Sequence, residues 1–116
     1  MPYSIDGQPL IAEKEPQLKD GTLWVPFRTI GQALGGTVDW DADNRVAILY
    51  LGSRIVTTKV GDPTVDTDGE KTELQAAPYV EDGETWVPVR FFNVALGYGL
   101  DVNLETKQVG LTSPLV

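Results

Sequence analysis

The chain contains no cysteine and no histidine. Disulfide frameworks, thiolate chemistry and zinc-finger ligand sets are excluded at once. Basic residues are scarce as well: 9 Lys and Arg stand against 17 Asp and Glu, a formal net charge of −8. Phosphate backbones and anionic membrane surfaces need clustered Lys and Arg, and no cluster occurs, so neither partner is expected. The acidity favours solubility and suits cations or a basic partner. No apolar run approaches the roughly 20 residues of a bilayer span, so no membrane insertion is expected. Met1 is followed by no charged-then-apolar signal segment. Lack of cysteine fixes no compartment by itself.

What is present is a globular composition, 41% apolar over 116 residues, which suits one domain. The chain also says nearly the same thing twice. DGTLWVPFRTIGQALG begins at Asp20 and DGETWVPVRFFNVALG begins at Asp82, an ungapped offset of 62 positions. The same offset pairs Asp6-Gly7 with Asp68-Gly69, Pro16 with Pro78 and Asp39 with Asp101. Self-similarity of this kind marks a duplicated supersecondary unit. Copies spanning about 1–54 and 55–116 sit near the lower size limit for an independent core, so they are expected to share one. The repeated residues are mostly Gly, Pro, Trp, Val and Leu, which points away from catalysis.

Turn signals arrive at short intervals, and Asp-Gly between apolar runs predicts hairpins. Val-, Ile- and Thr-rich stretches such as Arg45–Leu51 and Arg54–Val60 predict strands. Gly61–Gly69 is a polar bridge between the copies, within which Val65 predicts a further strand. One segment per copy breaks the β pattern. Phe27, Ile30 and Leu34 follow Pro26, and Val89, Phe92 and Leu96 follow Pro88; that spacing makes one face of a short helix. Pro26 and Pro88 suit the first helical position. Gly35 and Gly97 suit left-handed C-terminal caps. The expected class is α+β: two repeats of short antiparallel strands packed around one short helix each, sharing one core.

The pattern x-W-V-P-x-R-x-x-x-x-A-L-G, followed by a strand and turn such as VDWDADNRVAI, resembles the copper amine oxidase N-terminal-like domain. That family, also called the stalk domain of bacterial surface proteins, shows an NGRTLVPLRFIAEALGA-type core, often in tandem. The similarity runs from about Ile5 to Leu111. It implies an accessory, non-catalytic domain. In the oxidases copper is held by three histidines of a different domain, and the tyrosine-derived quinone needs an Asn-Tyr pair. This chain has no histidine, and none of Tyr3, Tyr50, Tyr79 and Tyr98 follows Asn. No cofactor and no oxidase activity carry over.

Individual residues invite sharper readings. Asp39, Asp41 and Asp43 alternate like the start of a calcium loop, but Asn44 and Tyr50 occupy the places that require Gly and Glu. A polar hairpin turn is the stronger reading, with weak divalent binding as its rival. Arg28 and Arg90 recur at the helix starts, with Asp39 and Asp101 following at equal distance. A partly buried ion pair or backbone clamp is expected, and an anion site at the helix N-terminus is the alternative. Trp24, Trp40 and Trp86 form either core and interface or a sugar-stacking platform. Ser4, Ser53 and Ser113 have no histidine base. No phosphate loop occurs. Acidic pairs such as Glu13/Glu15 lie in turn-like stretches, and a glycosidase cleft has little room here.

The expected role is structural: a protein-interaction module binding itself or other subunits of a bacterial cell-surface or extracellular assembly, or of a virion surface. A carbohydrate- or cell-wall-binding module using exposed tryptophans is the alternative, with polysaccharide as its partner. The expected location is extracellular, at the cell surface or on a virion, with no signal peptide in the chain. Apolar terminal stretches, Met1–Ile5 and Leu111–Val116, are expected to serve as free arms whose edges pair across subunits.

Overall fold

The computed structural model describes residues 2–114. The chain begins with two short hairpins, β1 (Tyr3–Ile5) with β2 (Gln8–Leu10), and β3 (Gln17–Lys19) with β4 (Thr22–Pro26). Helix α1 (Phe27–Ala33) follows, then β5 (Thr37–Asp41), β6 (Val46–Leu51) and β7 (Arg54–Lys59). The second half supplies β8 (Thr64–Thr67), β9 (Glu70–Glu73), β10 (Tyr79–Glu81), β11 (Glu84–Pro88), α2 (Phe91–Leu96), β12 (Gly99–Asn103) and β13 (Gln108–Thr112). This is an α+β fold dominated by strands.

Turn chemistry sets the hairpins. Asp20 and Gly21 sit at φ 52° and 78°, and Asp82 and Gly83 at 53° and 74°. Left-handed backbone at both central residues is the type I′ turn, whose twist matches that of paired strands. The β5–β6 and β12–β13 turns are closed by side chains instead. The Asp41 carboxylate accepts the Asn44 amide N–H at 3.2 Å, and Asn103 Oδ1 accepts those of Glu105 and Thr106 at 3.0 and 3.2 Å.

The strands form three sheets, ordered β10-β11-β4-β3, β5-β6-β7-β8-β9 and β12-β13-β1-β2. In the first, Val25 of β4 lies directly opposite Val87 of β11, flanked by Trp86 opposite Pro26 and Trp24 opposite Pro88. The 62-residue offset therefore carries this register onto itself. It also carries β3 onto β10, β4 onto β11, and β5 onto β12, residue for residue. Strand β7 alone has no counterpart among the described residues.

One hydrophobic cluster draws on both halves, from Tyr3, Leu23, Val25, Phe27 and Ile30 to Val87, Phe91, Phe92 and Leu111. Phe27 meets the Phe91 ring edge-on at 5.4 Å, and Phe91 meets Phe92 at 5.1 Å. Such ring geometry adds to the gain from area buried. Helices of seven and six residues are too short to hold alone; this cluster holds them.

Three expectations need correction. Pro26 stands at the N-cap of α1 rather than inside it, and α2 begins at Phe91, beyond Pro88. The Val89 N–H donates to the Leu23 carbonyl at 2.8 Å, keeping residue 89 with the sheet. Gly97 does cap α2 in left-handed geometry (φ 78°), and Gly35 (φ 96°) follows α1 the same way. The termini are not free arms. Strand β1 pairs in parallel with β13, and Tyr3 and Leu111 are buried. Met1, Leu115 and Val116 lie outside the described residues.

Candidate interaction face

The tryptophans separate into two kinds. Trp24 and Trp86 are buried on the central strand pair, and neither indole N–H finds a hydrogen-bond partner among the described residues. They fill space as apolar rings; Trp24 packs edge-on against Tyr79 at 4.8 Å. Both are thereby removed from any sugar platform. Trp40 remains at the surface, 36% exposed. It borders a cleft of about 230 Å³ together with Arg28, Asp39, Val80 and Glu84.

The expected Arg–Asp clamps do not form. Arg28, Asp39, Arg90 and Asp101 are all exposed. The ion pairs among the described residues are Arg54–Asp68 at 2.6 Å and Lys14–Glu84 at 3.8 Å. The strand following each helix points its Asp to solvent, because alternation gives the inward positions to its neighbours, Val38 in β5 and Leu100 and Val102 in β12. Asp39 instead accepts the N–H of Trp40 at 2.8 Å. Both helices are also too short to build an anion site. The Asp39, Asp41 and Asp43 carboxylates do not converge, and no metal-holding acidic group occurs among the described residues. Asp41 turns inward on its own hairpin, where hydrogen bonds from Asn44 hold its carboxyl below the usual range.

The surface property that sets one half apart lies on the five-stranded sheet. Alternation along β6 buries Ala47 and Leu49 and turns Val46, Ile48 and Tyr50 outward. Ile55 of β7 lies opposite Tyr50 on the same face, and Thr57 lies opposite Ile48. Tyr50 and Ile55 are 42% and 46% exposed. Charged and polar side chains border this strip: Lys59, Asp66 and Lys71 line a shallow depression beside Val46 and Thr57. An apolar centre with a polar rim is the anatomy of a protein interface. The offset makes the contrast plain. Val46, Ile48 and Tyr50 map onto Gln108, Gly110 and Thr112 of β13, so the matching sheet face is polar.

Comparison with known proteins identifies the family. A family model described as copper amine oxidase N-terminal domain matches residues 4–111, from β1 through β13. The chain belongs to this family. The copper amine oxidase N-terminal domain is a non-catalytic domain, in keeping with a chain whose repeated residues have folding roles. A curated relative from Brevibacillus choshinensis, named "Protease inhibitor", is 32% identical over 88 residues. That match covers 76% of this chain and 27% of the relative, so this domain spans about a quarter of that protein's length.

Sequence reasoning places the turns, leaves the tryptophans between core and platform, and passes over the outer face of β6 and β7. A signal is present, since Ile48 and Tyr50 differ in kind from their counterparts in the second half. Within a single strand it looks like ordinary β hydrophobicity, and only the pairing of β6 with β7 gathers Ile55 onto the same face.

Proposed function

We propose that this copper amine oxidase N-terminal domain is a structural protein-interaction module of a surface assembly, at a bacterial cell surface, in an extracellular filament or on a virion. In this reading residues 1–116 are one domain made of two copies of a scaffold. The outer face of β5-β6-β7-β8-β9 is the contact surface, and the partner is another copy or another subunit. The observation that carries the reading is the apolar strip of Val46, Ile48, Tyr50 and Ile55 on one sheet, set against a polar face on its counterpart. A scaffold residue would be apolar in both halves; the β6 residues are apolar in one. The name of the Brevibacillus relative supports it too, since a protease inhibitor acts on a protein. Replacing Tyr50 and Ile55 with threonine keeps β propensity while removing the apolar centre. Light scattering is expected to show self-association in the parent and its loss in the double variant. Unchanged association would refute this surface.

The carbohydrate reading keeps one observation: Trp40 beside a cleft that also holds Arg28, Asp39 and Glu84. A change in tryptophan fluorescence on adding cell-wall polysaccharide, absent in Trp40→Ala, would favour it over protein contact.

A further inference from the structure

The two outer sheets are built alike except at one junction. In one, β5-β6 is followed by β7, which leads the chain covalently into β8-β9. In the other, β12-β13 meets β1-β2 directly, and no chain links them. The end of the second unit thus docks onto the start of the first through a non-covalent seam. Three residue pairs make it: Tyr3 with Val109, Ser4 with Gly110, and Ile5 with Leu111. It is parallel, while the other pairings of the described strands are antiparallel. Parallel pairing is slightly weaker per residue. A short polar latch closes the seam, with the Asp6 carboxylate accepting the Ser113 N–H at 2.7 Å and its hydroxyl at 2.6 Å.

We infer that this seam exchanges between copies: the β1–β2 hairpin of one chain leaves its own β13 and pairs with β13 of a second copy, building a head-to-tail assembly. The inference rests on the reading of this domain as a self-associating module, and it names the partner and the route. Exchange remakes each seam contact, so the closed and exchanged forms differ mainly in the connection at residues 11–16 and in concentration. That connection is open to solvent at its start, where Ile11 is 81% exposed. A tethered hairpin competes with an effective concentration on the order of millimolar. Exchange is therefore favoured in concentrated or surface-confined protein and after refolding at high concentration. Because the two docking surfaces differ, the contact is heterologous, and it propagates unless a ring closes.

Cysteine cross-linking tests this, since the chain has no cysteine of its own. A Cβ at Gly110 would lie 3.2 Å from Ser4 Oγ, within reach of disulfide geometry. Chains carrying only Ser4→Cys are mixed with size-tagged chains carrying only Gly110→Cys, then unfolded, refolded together at high concentration and oxidised. A heterodimer disulfide-linked between the two substituted positions, in excess of either homodimer, is the expected product. Its absence would overturn exchange. If Gly110→Cys does not fold, Asp6→Cys and Ser113→Cys report on the same seam. The oxidised Ser4→Cys/Gly110→Cys double variant, locked within one chain, is expected to form none of the exchanged species that the parent forms on concentrated refolding, and to form them again on reduction. A locked variant that still associates like the parent would overturn exchange and leave the outer-face reading standing. Heterodimer formation undiminished in the Tyr50→Thr/Ile55→Thr background would support exchange and show that it proceeds without the outer face. A parent that stays monomeric after concentrated refolding would overturn both.

Discussion

Val25 and Val87 face each other at the point about which the central sheet repeats, and each is almost wholly buried. Substituting either by alanine removes two carbons from a packed site. At about 0.8 kcal/mol per buried methylene, the transfer loss is about 1.6 kcal/mol. The cavity left behind adds about 1 kcal/mol where neighbours cannot close in. Here they are held by strand register and by the packed cluster of Leu23, Phe27, Phe91 and Phe92 around them. Each substitution should therefore cost about 2–3 kcal/mol, lowering the melting temperature by roughly 8–12 °C in a domain of this size. Because the two sites are alike, the losses should agree within about 0.5 kcal/mol. Because the side chains touch a common space, the double variant should depart from additivity. Calorimetry and urea unfolding of Val25→Ala, Val87→Ala and the pair provide the check, and a single cooperative transition is expected in all three. A Val87→Ala variant that melts in two steps, with one half untouched, would refute a shared core. A cost below about 0.5 kcal/mol at either site would refute the packing account.

Arg28→Ala and Arg90→Ala should each change stability by less than about 0.5 kcal/mol in urea unfolding, since both side chains are exposed and outside the ion pairs found. Gly36→Ala should cost about 1–3 kcal/mol, because its Cβ would come within 2.6 Å of Leu49 Cδ1 and 2.9 Å of the Tyr50 carbonyl oxygen; a neutral result by thermal melting would show that α1 can lift from the sheet. Burial pushes the Tyr3 phenol above its ordinary 10.0, and Glu15 and Glu84 push it further. The folded state then keeps a proton that the unfolded state releases, so stability should hold below pH 10 and fall as pH rises beyond it. Tyr3→Phe should flatten that slope in an alkaline series, leaving a residue from Tyr79, which burial shifts the same way.

Much of this fold was legible because its local signals are covalent. Asp-Gly at four hairpins requires left-handed backbone, and each adopts it. The apolar and β-branched stretches around Ile48 and Val56 became strands within a residue of their expected ends. The short-helix faces held in part: Phe27, Ile30, Phe92 and Leu96 are buried, but Leu34 is a half-buried cap and Val89 lies ahead of α2. What was not legible depends on partners distant in sequence. The closing of β1 against β13 joins the two ends of the chain, and nothing in YSI or QVGLT announces a parallel neighbour. The shift of α2 to Phe91 follows from a single hydrogen bond between Val89 and Leu23. The Arg–Asp spacing misled because it recurs for a different reason: the equivalent strand positions face solvent in both halves. For the site, recurrence identified scaffold, and the informative residues were those outside it, Ile48, Tyr50 and Ile55.

Sedimentation velocity of the parent domain and of Tyr50→Thr/Ile55→Thr, each over a wide concentration range, decides whether the outer face of the five-stranded sheet joins copies of this domain. Concentration-dependent species are expected in the parent and at least tenfold weaker association in the variant, a loss of about 1.4 kcal/mol or more, with its melting temperature unchanged. A parent that sediments as one monomer at every concentration, or a variant that associates as the parent does, would contradict it.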